Sequence, residues 1–140
     1  MADLTLTASS VVPGDSAIIQ SGVAGAAIAA GEVVYKDTSD SNKLKLADAN
    51  GATAIIRLVA GIAICSAAAG QRVSYVTEDD DLTLGSGLFA IGDVLILSAT
   101  AGKIAPVADL ATGMYNTVLG IATTTGKINF KPLGVTVAKA

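Results

Sequence analysis

Residues 30–37 read Ala-Gly-Glu-Val-Val-Tyr-Lys-Asp, and residues 91–98 read Ile-Gly-Asp-Val-Leu-Ile-Leu-Ser. In both, a glycine and an acidic residue lead into a run rich in β-branched and aromatic side chains, the composition of a strand. The next segments also match. Lys43-Leu44-Lys45-Leu46-Ala47-Asp48 stands after the first, and Gly102-Lys103-Ile104-Ala105-Pro106-Val107-Ala108-Asp109 after the second. Each copy then reaches Gly-Ile-Ala, at Gly61-Ile62-Ala63 and at Gly120-Ile121-Ala122. Each closes on a glycine and a further strand, Gly70-Gln71-Arg72-Val73 and Gly126-Lys127-Ile128. The same pieces in the same order predict an internally duplicated β unit, with copies at about 28–77 and 89–137. Two copies are too few for a solenoid, which needs at least about three stacked repeats.

Each unit reads as a hairpin. Gly31 and Gly92 open it, because glycine reaches backbone angles closed to other residues. Val33 and Tyr35 alternate with Val34 and Lys36, and Leu44 and Leu46 with Lys43 and Lys45, the period of a half-buried antiparallel pair. Thr38-Ser39-Asp40-Ser41-Asn42 is turn material. The stretches 47–51 and 108–113 read as a single turn or short helix stopped by glycine. The two Gly-Ile-Ala strands are apolar on both faces and belong at the centre of their sheets. The predicted core is Val33, Tyr35, Leu44, Leu46, Ile62, Ile64, Val94, Ile96 and Ile121, with Lys36, Lys43 and Lys45 outside. Residues 23–31 are alanine-rich enough for helix, yet their glycines favour strand and turn.

The expected fold class is therefore all-β: a β-sandwich or barrel-like head of short antiparallel strands, residues 16–140, preceded by an extended N-terminal arm, residues 1–15. In the arm Leu4 and Leu6 alternate with Asp3, Thr5 and Thr7, and Val11 and Val12 add apolar surface before the turn Pro13-Gly14-Asp15. An unpaired strand can add to another sheet, so Leu4, Leu6, Val11 and Val12 are the candidate partner-binding residues. Free in solution, such an arm should be mobile.

Composition narrows the function. The 140 residues contain no His, no Trp and one Cys, with a net charge of −3. Without His there is no Ser-His-Asp or Cys-His machinery and no imidazole metal ligand. One thiol makes neither a disulfide nor a thiolate zinc site, and Cys65 in an apolar run reads as core filler. The basic residues are scattered, which argues against direct nucleic-acid binding. The longest uncharged apolar run, 58–70, is too short to cross a bilayer, and the N-terminus lacks a secretory start. A soluble, unprocessed chain without enzymatic function, cofactor or membrane partner is the expectation. Gly85-Ser86-Gly87 lacks phosphate-loop spacing. Glu78, Asp79, Asp80 and Asp81 are the one charge cluster and a weak calcium candidate; the plainer reading is a solvated loop after the strand 73–76.

In order, the segments at 24–28, 30–37, 43–48, 61–63, 70–73, 102–104 and 119–122 resemble the small capsid cement (decoration) proteins of tailed bacteriophages. The resemblance covers about residues 20–131. It implies a head on the outer surface of an icosahedral virion, added after synthesis in the host cytoplasm. There the protein would bind the major capsid protein and act as a symmetric homo-oligomer, dimer or trimer, that stabilises the shell by bridging its subunits. It carries over no catalytic residue. Two other classes are open. One is a β-sandwich glycan-binding or adhesion module, for which five aromatics are few. The other is a lipoyl- or biotinyl-like carrier domain, for which Lys43 and Lys103 stand at strand starts rather than at hairpin tips.

Overall fold

The computed structural model describes residues 3–133 and Lys139. The chain is all-β and barrel-like. Among the described residues, nine strands form one curled antiparallel sheet: β1 (Ile18–Val23), β2 (Val33–Asp37), β3 (Lys43–Leu46), β4 (Gly61–Ala63), β5 (Arg72–Thr83), β6 (Val94–Leu97), β7 (Ile104–Pro106), β8 (Val118–Ala122) and β9 (Lys127–Leu133). Among the described residues, one short α-helix, α1 (Ala54–Arg57), lies between β3 and β4. The strand order is β3-β2-β4-β5-β9-β8-β6-β7, with β1 paired to β5 off this path.

That order reads the same from both ends once β2 is matched to β6, β3 to β7, β4 to β8 and the first half of β5 to β9. The registers agree residue by residue. Val34 pairs with Gly61 and Leu95 with Gly120; Val33 pairs with Ile62 and Val94 with Ile121. Ala63 pairs with Tyr75 and Ala122 with Ile128. The turns match too. The Ala29 N–H donates to the Glu32 carboxylate at 2.7 Å and the Ala90 N–H to the Asp93 carboxylate at 2.9 Å. Gly31 and Gly92 hold φ of 91° and 89°, the left-handed region that glycine enters without a steric cost. The two Gly-Ile-Ala strands are central, as expected.

The repeat starts one strand earlier than its sequence signature. β1 pairs with the first half of β5, and the second half of β5 pairs with β9 in the same relation. β5 thus ends the first unit and opens the second. The first strands of the two units share too little side-chain pattern to be seen in sequence. The last residues expected in the second copy, 134–137, and residues 1 and 2 of the arm lie outside the described residues.

The acidic run is no loop. It lies within β5, whose twelve residues continue to Thr83, because the ladder with β9 begins where the ladder with β1 ends. The turn at 47–51 is not helical; the helical turn comes slightly later, at α1. Near its counterpart, Val107–Asp109 forms a short 3₁₀ turn.

Two cores hold the sheet. The main one joins Val33, Tyr35, Ile62 and Val76 of the first unit to Leu95, Leu97, Leu119, Ile128 and Phe130 of the second. A smaller one gathers Val34, Leu44, Val73 and Tyr75 under Ala24, Ile28 and Ala67. The half-buried reading of β2 is therefore corrected: Val33, Val34 and Tyr35 are all buried, and the strand is covered on both faces. The matched positions Val34 and Leu95, or Tyr75 and Ile128, line the concave side of each unit. The opposite side of the first unit stacks on the concave side of the second. The units are joined head to tail, and on the opposite side of the second unit Ile96 is buried whereas Ile121 is left outside.

Of the predicted core, Val33, Tyr35, Leu44, Ile62 and Ile96 are buried, and Leu46, Ile64 and Val94 are half-buried. Ile121 is not core: it is 51% exposed, because its side chain projects from that outer side. Lys36 is exposed, whereas Lys43 and Lys45 are half-buried beside acidic partners.

Candidate interaction surfaces

The N-terminal segment, expected as a mobile arm, lies on the head. The Leu4 N–H donates to the Ile104 carbonyl at 2.8 Å, on the outer edge of β7. Val12 and Thr83 exchange two main-chain bonds, at 3.0 and 2.9 Å. Asp3 and the Ser98 hydroxyl form a short hydrogen bond. Leu4 and Leu6 pack on the main core, and Val11 is buried within it. Burying these side chains offsets the entropy of ordering the segment. Of the four candidate partner residues, only Val12 presents a large apolar surface, at 51% exposure.

The acidic run separates into unlike parts, because alternate residues of a strand face opposite ways and the ladder with β9 shifts register between Asp79 and Leu82. Asp79 is buried and accepts the Gly14 N–H at 2.7 Å and the Asp81 N–H at 2.9 Å. It fixes the turn that leads the N-terminal segment into β1. Glu78 faces Lys131 at 3.5 Å, Asp81 faces Lys127 at 3.4 Å, and Asp80 is exposed. Among the described residues, no three acidic or Cys side chains converge as metal ligands would.

A second charged group sits on the β2–β3 hairpin. Lys45 Nζ lies 2.7 Å from the Asp37 carboxylate and 3.1 Å from that of Asp40, and Lys43 lies 3.3 Å from Asp40. Lys45, with help from the Ser39 hydroxyl, holds Asp37 down at about 2, against an ordinary 3.8. Asp40 is lowered by Lys45 and Lys43, and Lys45 is raised by Asp37 and Asp40. Ser41 and Asn42, at the tip, hold φ of 55° and 58°. This cluster rigidifies a tight turn. Of the lysines weighed for a carrier site, Lys43 is in this cluster and Lys103 faces Glu32 at 3.7 Å.

The outer side of the second unit is the first apolar surface. Val118, Gly120, Ile121 and Leu133 line a shallow groove of about 200 Å³, with Asn129 and Lys131 between them. Ile121 is 51% and Leu133 68% exposed. The Asn129 Oδ1 is buried without a hydrogen-bond partner. A buried acceptor left unpaired carries a desolvation cost. The signal in sequence was the ladder neighbour: Ile62 stands beside Val76, whereas Ile121 stands beside Asn129.

The second surface is a cleft of about 300 Å³ between the start of β1 and the β2–β3 hairpin. Leu58, Val59 and Tyr75 form its apolar wall, and Gln20, Lys36 and Thr77 its polar rim. The matching positions in the second unit, Leu97 for Lys36 and Phe130 for Thr77, are filled by the main core. Beside the cleft, Ile18 and Ile19 of β1 are about half exposed. Of the tyrosines, Tyr35 and Tyr75 are buried, and Tyr115 is covered by the Arg57 guanidinium at 3.6 Å from its ring centre.

No protein-family model matches the chain, and no curated protein matches it.

Proposed function

We propose that this protein is a structural virion component that binds the outside of an icosahedral phage capsid and stabilises it by bridging major capsid protein subunits. The observation that carries the reading is the apolar outer side of the second unit, with Ile121 and Leu133 largely in solvent. Large apolar side chains gathered on one surface mark a place where another macromolecule sits. The resemblance of the repeat segments to phage cement proteins supplies the partner. On this reading the second unit faces the shell, and Ile121, Leu133 and Val118 are the anchors. The N-terminal segment contributes through Val12 alone, since Leu4, Leu6 and Val11 serve the head. The protein acts as a symmetric homo-oligomer, which multiplies weak individual contacts.

The test is co-sedimentation with expanded capsids that lack cement protein. Wild-type protein is expected to saturate a fixed number of sites per particle. Ile121→Asp is expected to abolish most binding while leaving the melting temperature near wild type. Failure of the wild-type protein to bind such particles, or full binding by the variant, overturns the reading.

A further inference from the structure

Stacking fills one place in the second unit that stands open in the first. In the second unit Leu97 and Phe130 occupy it, in one core with Val33, Tyr35 and Ile62 of the first unit. In the first unit the same place is the cleft of about 300 Å³ beside the β2–β3 hairpin. By the registers of the two repeats, Lys36 stands at the position of Leu97, and Thr77 at that of Phe130. The wall is still apolar: Leu58 is 60% exposed, with Val59 and Tyr75 beside it.

The rim sets the charge of what can enter. Lys43, Lys45, Lys103, Lys127 and Lys131 each face a carboxylate. Arg57 donates to the Gly51 carbonyl, Arg72 to the Ser21 hydroxyl and Lys139 to the Leu110 carbonyl. Lys36 is the one basic side chain without such a partner among the described residues, and it is exposed. No carboxylate lines the cleft. The Tyr75 hydroxyl donates to the Gln20 Oε1 at 3.3 Å, which leaves the Gln20 amide N–H groups as donors on the rim. One cation and an amide donor beside an apolar wall match a carboxylate carried next to a large apolar side chain. A phosphate backbone is matched by several cations together, and this rim has one.

We infer that the cleft binds an acidic-apolar segment of a partner protein, its apolar side chain against Leu58, Val59 and Tyr75 and its carboxylate on Lys36 and Gln20. The apolar wall supplies burial, and the charge-assisted hydrogen bond fixes the segment's position. The second unit is the precedent, since the same place there takes in apolar side chains from a stacked surface. Lys36 and Thr77 change the preference from a wholly apolar occupant to one that brings an anion. The inference rests on the proposed function for the partner's identity, the major capsid protein, and on the cleft alone for its chemistry. It gives bridging its second contact: the outer side of the second unit holds one capsid subunit, and the cleft of the first unit holds a neighbouring one.

The experiment uses the full chain, isotope-labelled, and a blocked tripeptide Leu-Glu-Phe as the probe. Saturable amide shifts are expected at Lys36, Leu58 and Thr77. The matching peptide with Gln in place of Glu is expected to bind about threefold more weakly, as for loss of one exposed ion pair. Lys36→Glu should weaken the acidic peptide at least about tenfold, since like charges then meet, and Leu58→Asp should abolish saturable binding. Both residues are exposed, so both variants should melt with wild type; Lys36→Met, which keeps the length of the side chain, should bind the two peptides equally. In co-sedimentation with cement-free capsids, Lys36→Glu should bind at least about tenfold more weakly than wild type. Equal binding of the two peptides by wild type, no saturable shift at the cleft, or full capsid binding by Lys36→Glu overturns the inference. So does self-association of the wild-type protein that Leu58→Asp removes, because the occupant is then a second copy. Wild-type protein that binds the acidic peptide through Lys36 and ignores capsids removes the proposed function and leaves the cleft.

Discussion

Ile62 and Ile121 occupy the same place in two copies of one motif, yet Ile62 is fully buried and Ile121 is 51% exposed. Their ladder positions correspond: Val33 and Val76 flank Ile62, and Val94 and Asn129 flank Ile121. The difference arises from head-to-tail stacking, which covers Ile62 on one side of the first unit with the second unit and leaves Ile121, at the corresponding place of the second unit, uncovered. Ile62→Ala is therefore expected to cost about 2–5 kcal/mol in denaturant unfolding, the range for a buried large-to-small change. Ile121→Ala should change stability by less than about 1 kcal/mol, near the range of surface substitutions. Equal costs would refute the asymmetry.

Gly61 and Gly120 should be equally intolerant. A Cβ on Gly61 would run into the Val76 carbonyl, and one on Gly120 into the Asn129 carbonyl. Strand and partner would have to separate. Each Gly→Ala change is expected to destabilise by about 1–3 kcal/mol, as overpacking does. A neutral result at either position would show that the ladder relaxes there.

Asp79 is predicted to hold the N-terminal segment in place. Asp79→Ala leaves the N–H groups of Gly14 and Asp81 without their acceptor, and each such loss costs about 1–3 kcal/mol. Hydrogen exchange should accelerate at Gly14 and Asp81 first. Unchanged protection there would mean that the turn is held by other contacts.

Deleting residues 2–12 should lower the melting temperature, since Leu4, Leu6 and Val11 belong to the main core. Loss of Val11 alone removes a side chain whose burial is worth about 1.5–3 kcal/mol. A truncated protein melting with wild type would restore the free-arm reading.

Acid should loosen the β2–β3 hairpin. The carboxyl of Asp37 is lowered from 3.8 to about 2 in the folded chain. A lowered acid stabilises the fold above its unfolded value, and that stability is lost as pH falls through the folded value. The contribution of Asp37 is thus intact above about pH 4 and disappears toward pH 2. Lys45, raised by the same partners, keeps its contribution until pH rises beyond its ordinary 10.5. The slope of stability between pH 4 and 2 should be shallower in Lys45→Met than in wild type. Identical slopes would assign acid sensitivity to other carboxylates.

The sequence alone pointed to the duplication and to the all-β class. These rest on local chemistry: the same glycines recurring in the same order, β-branched and apolar runs after them, and the alternation of Leu44 and Leu46 with Lys43 and Lys45. It did not determine which side of each unit is inside. Both sides of the Gly-Ile-Ala strands are apolar, so period two has no preference between them, and Ile121 reads as core as well as Ile62 does. The same holds for residues 3–12, whose alternation describes a strand without saying whose sheet it joins, and for Glu78–Asp81, which reads as a loop until β9 pairs with it. Only tertiary structure decided these points, because stacking one unit on another is a relation between surfaces far apart in the chain.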